Sequence, residues 1–140
     1  MNPKLQQRIK NIAFGLKDVP RGRNKHFSFI IYQNRIVSTG WNDYWATHTE
    51  CYKYGYQFCS IHSEMAAILH YRGNKDLLNR CILVNVRVGA DNNFTISKPC
   101  EACQKMISGY HFKRVYYTDH SGNFTRFFSN GQTTKRATAA

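Results

Sequence analysis

The sequence predicts an α/β fold, and three observations carry that prediction. Five segments rich in Ile, Val and aromatic residues, at 26–32, 36–41, 81–88, 114–118 and 124–128, read as strands. Three others carry helical periodicity or helix-start chemistry. The length, 140 residues, is that of one domain with one core. Residues 1–128 are therefore expected to form a single domain. The Ser, Asn, Gly, Gln and Thr of 129–140 are expected to form a flexible polar tail, because they offer too little apolar surface to offset the entropy of ordering.

Each element has a local reason. Leu5, Ile9, Ile12, Ala13 and Leu16 recur at helical spacing, with Lys4, Arg8, Lys10 and Lys17 off that stripe, which predicts an amphipathic helix ended before Pro20. Strands 26–32 and 36–41 flank a short turn around Asn34 and Arg35 and should pair as a hairpin. Residues 42–60 are irregular and polar-aromatic, a long loop. Ser63 to Tyr71 reads as a core helix broken at Gly73, with Leu77 and Leu78 as its extension. Segment 81–88 reads as a buried central strand, and 89–98 as a loop. Pro99 suits a helix start, so 100–110 should be helical with Cys100 and Cys103 near its N-terminus. The turn residues His120, Ser121, Gly122 and Asn123 join the last two strands into an antiparallel hairpin.

Composition narrows the function classes. Twenty Lys and Arg against eight Asp and Glu give a net charge of +12, which favours an anionic ligand or partner. Five cysteines, an odd number, argue against a disulfide framework and for thiolate chemistry or burial. No run approaches the ~18 apolar residues of a membrane span, and residues 1–10 lack the apolar stretch of a signal peptide. The expected setting is cytoplasmic, with no membrane partner.

The chemistry-bearing residues lie in two short motifs. His62, Cys100 and Cys103 make a one-His, two-Cys donor set, the three protein ligands of a hydrolytic zinc site that keeps its fourth position for water. Helix N-termini beside them favour thiolate over thiol. Glu64, two residues after His62, can approach that water without being a ligand.

His62-Ser63-Glu64 and Pro99-Cys100-Glu101-Ala102-Cys103 resemble the H-x-E and P-C-x-x-C signature of zinc nucleobase deaminases, the cytidine/deoxycytidylate deaminase-like superfamily. Gly40-Trp41-Asn42 is similar to the Gly-x-Asn whose Asn touches the substrate sugar in several branches. The resemblance implies a three-layer fold, a mixed five-stranded sheet with both motif-bearing helices on one face. It also implies Zn2+ as cofactor, held by His62, Cys100 and Cys103. Hydrolytic attack then falls on C4 of cytosine, with Glu64 moving protons from water to the ring nitrogen and the departing ammonia. Ser63 stands where the superfamily most often has Ala; its backbone N–H remains available to a substrate carbonyl. Asn42 is either a ligand contact or a turn residue.

The substrate is less constrained. The terminal hairpin resembles free-cytidine deaminases, whereas the long 42–60 loop resembles the insertion of deoxycytidylate deaminases. The expected reaction is deamination of a free cytosine nucleoside or nucleotide. The alternatives are deamination of cytosine or adenine within single-stranded DNA or RNA, and a catalytically silent zinc-containing nucleic-acid-binding module. Tyr52, Tyr54, Tyr56 and Phe58 could form a base-stacking wall or a half-buried extended segment. His48, Cys51 and Cys59 are candidates for a second zinc, and Cys81 is core. Arg8, Lys10, Lys17, Arg21, Arg23 and Lys25 could meet a substrate phosphate or a nucleic acid, or be solvated charge. His26 either faces the pocket or is a buried, hydrogen-bonded histidine. Assembly into a homo-oligomer is also expected.

Overall fold

The computed structural model describes residues 1–44, 54 and 61–128. The first helix, α1 (Pro3–Gly15), starts where Asn2 accepts the Leu5 N–H at 2.8 Å and Pro3 needs no donor. Its buried stripe is Leu5, Ile9 and Ala13, one turn apart. Strands β1 (His26–Tyr32) and β2 (Arg35–Trp41) form the expected hairpin. The turn falls at Gln33 and Asn34, with φ of 49° and 63°, while Arg35 already pairs with Tyr32. A tight two-residue hairpin turn takes left-handed backbone at both positions, so it sits one residue earlier than expected.

Helix α2 (Ser63–His70) is shorter than predicted. Tyr71 turns extended, and a separate 3-10 helix (Lys75–Arg80) begins where the Asn74 side chain accepts the Asp76 N–H at 2.9 Å. Leu77 and Leu78 therefore do not extend α2, and only Leu78 is buried. Strand β3 (Ile82–Val88) lies at the centre, followed by β4 (Phe94–Thr95), α3 (Glu101–Tyr110), β5 (Arg114–Thr118) and β6 (Phe124–Arg126). Helix α3 opens one residue later than predicted, because Cys100 is its cap: the thiol sulfur accepts the Cys103 N–H at 3.4 Å.

The sheet runs β2-β1-β3-β5-β6, with β4 added to β3. It is mixed: β3 is antiparallel to β1 and parallel to β5, and β5 and β6 form the predicted antiparallel hairpin. The sixth strand arises inside the predicted 89–98 loop. Strand β5 pairs with β3 only as far as Asn85, which leaves Arg87 and Val88 to be met by the returning Thr95 and Phe94. Strand β6 stops at Arg126, short of the expected 128, although Phe127 still donates its N–H to Val115.

Strand alternation sorts the core into two clusters, one on each face. Phe27, Phe29, Ile31, Val84, Val86 and Val88 pack with the α1 stripe. On the other face Ile30, Leu83 and Val115 meet Met65, Ala67 and Ile68 of α2 and Cys103, Met106 and Ile107 of α3. The result is three layers with both motif-bearing helices on one face. Under the N-terminus of α2 the apolar pattern is interrupted by a row of register partners, Gly40, Ser28 and Asn85. No helix among the described residues is long and apolar enough to cross a membrane.

Candidate active site

Both helices deliver their chemistry from their first turns. His62 is the N-cap residue of α2, yet its side chain makes no capping bond; the ring turns to the cysteines instead. Its Nδ1 lies 3.6 Å from Cys100 Sγ and 3.5 Å from Cys103 Sγ, and one ligand atom from each of the three residues lies within 4.8 Å of the others. Zinc with bonds of ~2.0–2.3 Å in tetrahedral geometry needs donor separations of roughly 3.5–3.8 Å. The donor set suits zinc, and both separations from His62 to the cysteine sulfurs fall in that range.

Electrostatics agree with the geometry. The Cys100 thiol is pushed down to about 4 by the Cys103 thiol first, against burial, and then by His62 and the Cys103 backbone N–H. Burial works against charge on His62, but the hydrogen bond and negative charge of Cys100, with Glu64, hold its pKa above the ordinary histidine value. A thiolate facing an imidazolium is a charge arrangement that a cation can replace.

Glu64 is buried at 6% exposure, and burial lifts its carboxyl above the usual range against its own backbone N–H, His62 and Asn85. Ser63 Oγ donates to Glu64 Oε1 at 3.1 Å, and Asn85 Nδ2 donates to Oε2 at 2.9 Å. Ser28 Oγ lies 2.8 Å from Ser63 Oγ and 2.6 Å from Asn85 Oδ1, closing a ring of four side chains. Three oxygen–oxygen contacts share two hydroxyl protons while Glu64 is ionised. A proton on Glu64 supplies the third, so the protonated carboxyl completes the ring.

A cavity of about 200 Å³ opens beside this cluster, walled by Asn24, His26, Asn42, Tyr44, Ile61, His62, Ser63, Glu64, Lys98 and Cys100. Asn42 lines it, but its amide also ties the strand ends: Oδ1 accepts the His26 N–H at 2.9 Å and Nδ2 donates to Asn24 O at 2.7 Å. The Ser63 hydroxyl is committed to Ser28 and Glu64, and its N–H belongs to the helix's unpaired first turn. His26 faces the pocket, with its pKa lowered to about 4 by burial first and then by Arg87 and His62.

Ser28, Asn85 and Lys98 were not singled out from the sequence. Asn85 carried a signal: an Asn amid Ile, Leu and Val in a central strand must find partners when buried. Several basic side chains of the N-terminal region are engaged within the chain. Arg21 donates from Nε and Nη2 to Asp43, Lys10 lies over Phe94 and Phe124, and Lys25 bonds Lys17 O. Cys81 is buried, and Tyr54 packs against the core on the α2 side. His48, Cys51 and Cys59, with Tyr52, Tyr56 and Phe58, lie outside the described residues, as does the tail.

Comparison with known proteins agrees with the arrangement. In fold the chain is similar to the dCMP deaminase of the cyanophage S-TIM5 in apo form, at 20% identity and a TM-score of 0.59 over 85% of this chain and 86% of that one. The same enzyme in complex with dCMP and dUMP gives 20% identity and a TM-score of 0.58 over 85% and 84%. No curated protein sequence matches the chain. The family described as the cytidine and deoxycytidylate deaminase zinc-binding region matches residues 7–119. The chain belongs to that family, and is a zinc-dependent hydrolytic deaminase of cytidine/deoxycytidylate type.

Proposed function

We propose that the chain deaminates a free cytosine nucleotide, with His62, Cys100 and Cys103 as zinc ligands and Glu64 as the proton carrier. The observation that carries this reading is the buried Glu64 carboxylate beside the His/Cys/Cys cluster at the wall of one cavity. A zinc ion held there supplies the Lewis acidity that makes water a nucleophile near neutral pH. Glu64 takes the water's proton and passes it to the ring nitrogen, and a further proton leaves with ammonia. The unpaired N–H of Ser63 meets the base carbonyl, Asn42 stands beside the sugar, and burial keeps the Glu64 proton away from solvent between transfers.

Two features support a nucleotide over a nucleoside: Lys98 lines the cavity, and the fold relative was solved with dCMP and dUMP. A second reading, deamination within a single strand, draws on the +12 charge. Turnover of dCMP, deoxycytidine and a cytosine-containing oligonucleotide by the zinc-loaded chain, at two salt concentrations, separates them. Release of ammonia from dCMP is expected, lost in Glu64→Gln with zinc retained. Activity confined to the oligonucleotide would overturn the assignment.

A further inference from the structure

A carboxylate that takes a proton in one step and returns it in another must keep its oxygens aimed at the reacting atoms throughout. Both oxygens of Glu64 are held, Oε1 by Ser63 and Oε2 by Asn85. Asn85 is itself fixed at both ends. Its Oδ1 accepts from Ser28 Oγ at 2.6 Å, and its backbone carbonyl accepts from Ser97 Oγ at 2.9 Å, three residues before Cys100. The amide cannot turn over without setting its carbonyl against the carboxylate.

Ser28, Ser63, Glu64 and Asn85 are all nine-tenths or more buried, on three different elements. The Asn85 amide also reaches the Ser97 carbonyl at a long 3.5 Å, but its short bonds, and those of Ser28 and Ser63, are all made within the ring around Glu64, at the cost of desolvating hydroxyls and an amide. Neither Ser28 nor Asn85 lines the cavity, so neither is placed to touch substrate.

We infer that Asn85 and Ser28 are positioning residues for Glu64, Asn85 directly and Ser28 through Asn85 and Ser63. This rests on the reading of Glu64 as the proton carrier. Without the Asn85 amide, Oε2 loses its donor and the carboxylate turns away from the cavity in part of the population. The chemical step then slows while substrate binding is kept.

The test uses the 140-residue, zinc-loaded chain with dCMP. Asn85→Ala should lower kcat by roughly ten- to a hundredfold, the effect of losing one hydrogen bond to a charged group, with KM within about threefold. Ser28→Ala should lower kcat about tenfold. Zinc content should stay at that of the unaltered chain in both. In Glu64→Asp, whose shorter carboxylate stops short of the amide, adding Asn85→Ala should cause no further loss. A merely structural role would lower kcat, zinc content and thermal midpoint together, and its effect would multiply with Glu64→Asp; either pattern overturns the inference. So would a kcat for Asn85→Ala within threefold of the unaltered chain. If Asn85→Ala does not fold, Ser28→Ala decides by the same criteria. Full activity of Glu64→Gln would instead overturn the reading of Glu64, an outcome separate from Asn85.

Discussion

Gly40 in β2 lies against the backbone of Ala67 in α2 with no room for a side chain between them. A Cβ at position 40 would overlap the Ala67 amide nitrogen and the Ser63 carbonyl oxygen. Two residues back along β2, on the same face, Ser38 Oγ donates to Ala67 O at 2.6 Å, so α2 is seated on β2 by a close approach and a buried hydrogen bond. Gly40→Ala must lift the helix, and with it His62, away from the cysteines of α3. The expected cost is about 3 kcal/mol or more, at the upper end of overpacking effects, together with zinc lost during gel filtration. Denaturant unfolding and metal analysis check both; an alanine tolerated with full zinc would contradict this seating.

The cysteines should differ sharply in reactivity. Cys100 is exposed, caps α3 and has its thiol depressed to about 4, whereas Cys81 is buried in the core and burial raises its thiol. Chelator-treated protein at pH 6 should be alkylated by iodoacetamide at Cys100 at least about tenfold faster than at Cys81. Added zinc should protect Cys100. Peptide mapping by mass spectrometry reads both rates, and equal rates would rule out a thiolate at the helix cap.

His26 predicts an acid-labile fold. Folded, it binds its proton only near pH 4, against 6.5 for an unperturbed histidine, because burial and the Arg87 charge oppose the imidazolium. Between those values the unfolded chain holds the extra proton, so stability falls as pH drops from 6.5 and the loss is complete below 4. At its largest it is about 3 kcal/mol. In metal-free protein, His26→Gln should flatten the stability curve over that window and leave stability above pH 7 nearly unchanged. Chemical unfolding at pH 4.5, 5.5, 6.5 and 7.5 measures the slope, and an unaltered slope would show that His26 is not the group responsible.

How much of this was legible in the sequence depended on how local each feature is. His62, Glu64, Cys100 and Cys103 stand in two motifs of three and five residues, each at the start of a helix, so their chemistry is written in short spacings. The α1 stripe and the terminal hairpin are local in the same way. Asn85 is not: it acquires meaning only when register places it beside Ser28, 57 positions away, under Glu64. Strand β4 is likewise invisible in Phe94 and Thr95 themselves, since they pair only because β3 outruns β5. Leu77 and Leu78 look like a continuation of α2 because they are apolar helix formers, whereas Asn74 starts a separate 3-10 helix.

Lys98 bears on the substrate. It is exposed, lines the cavity between Ser97 and Pro99, and is carried by the segment that delivers Cys100. On the proposed reading, with the base at Glu64, the phosphate of a nucleotide is the group left for Lys98 to meet, through water or directly. A close charge pair at a protein surface changes binding by up to about fivefold and weakens as salt screens it. Lys98→Ala should therefore raise KM for dCMP by about three- to fivefold at low salt, change KM for deoxycytidine by less than about twofold, and leave kcat for both within about twofold. The difference between the two substrates should shrink in about 0.5 M salt. Initial-rate kinetics on both compounds decide it. Equal losses for nucleotide and nucleoside would place Lys98 in support of the Cys100 segment instead of the phosphate, and would remove one of the two supports for a nucleotide substrate.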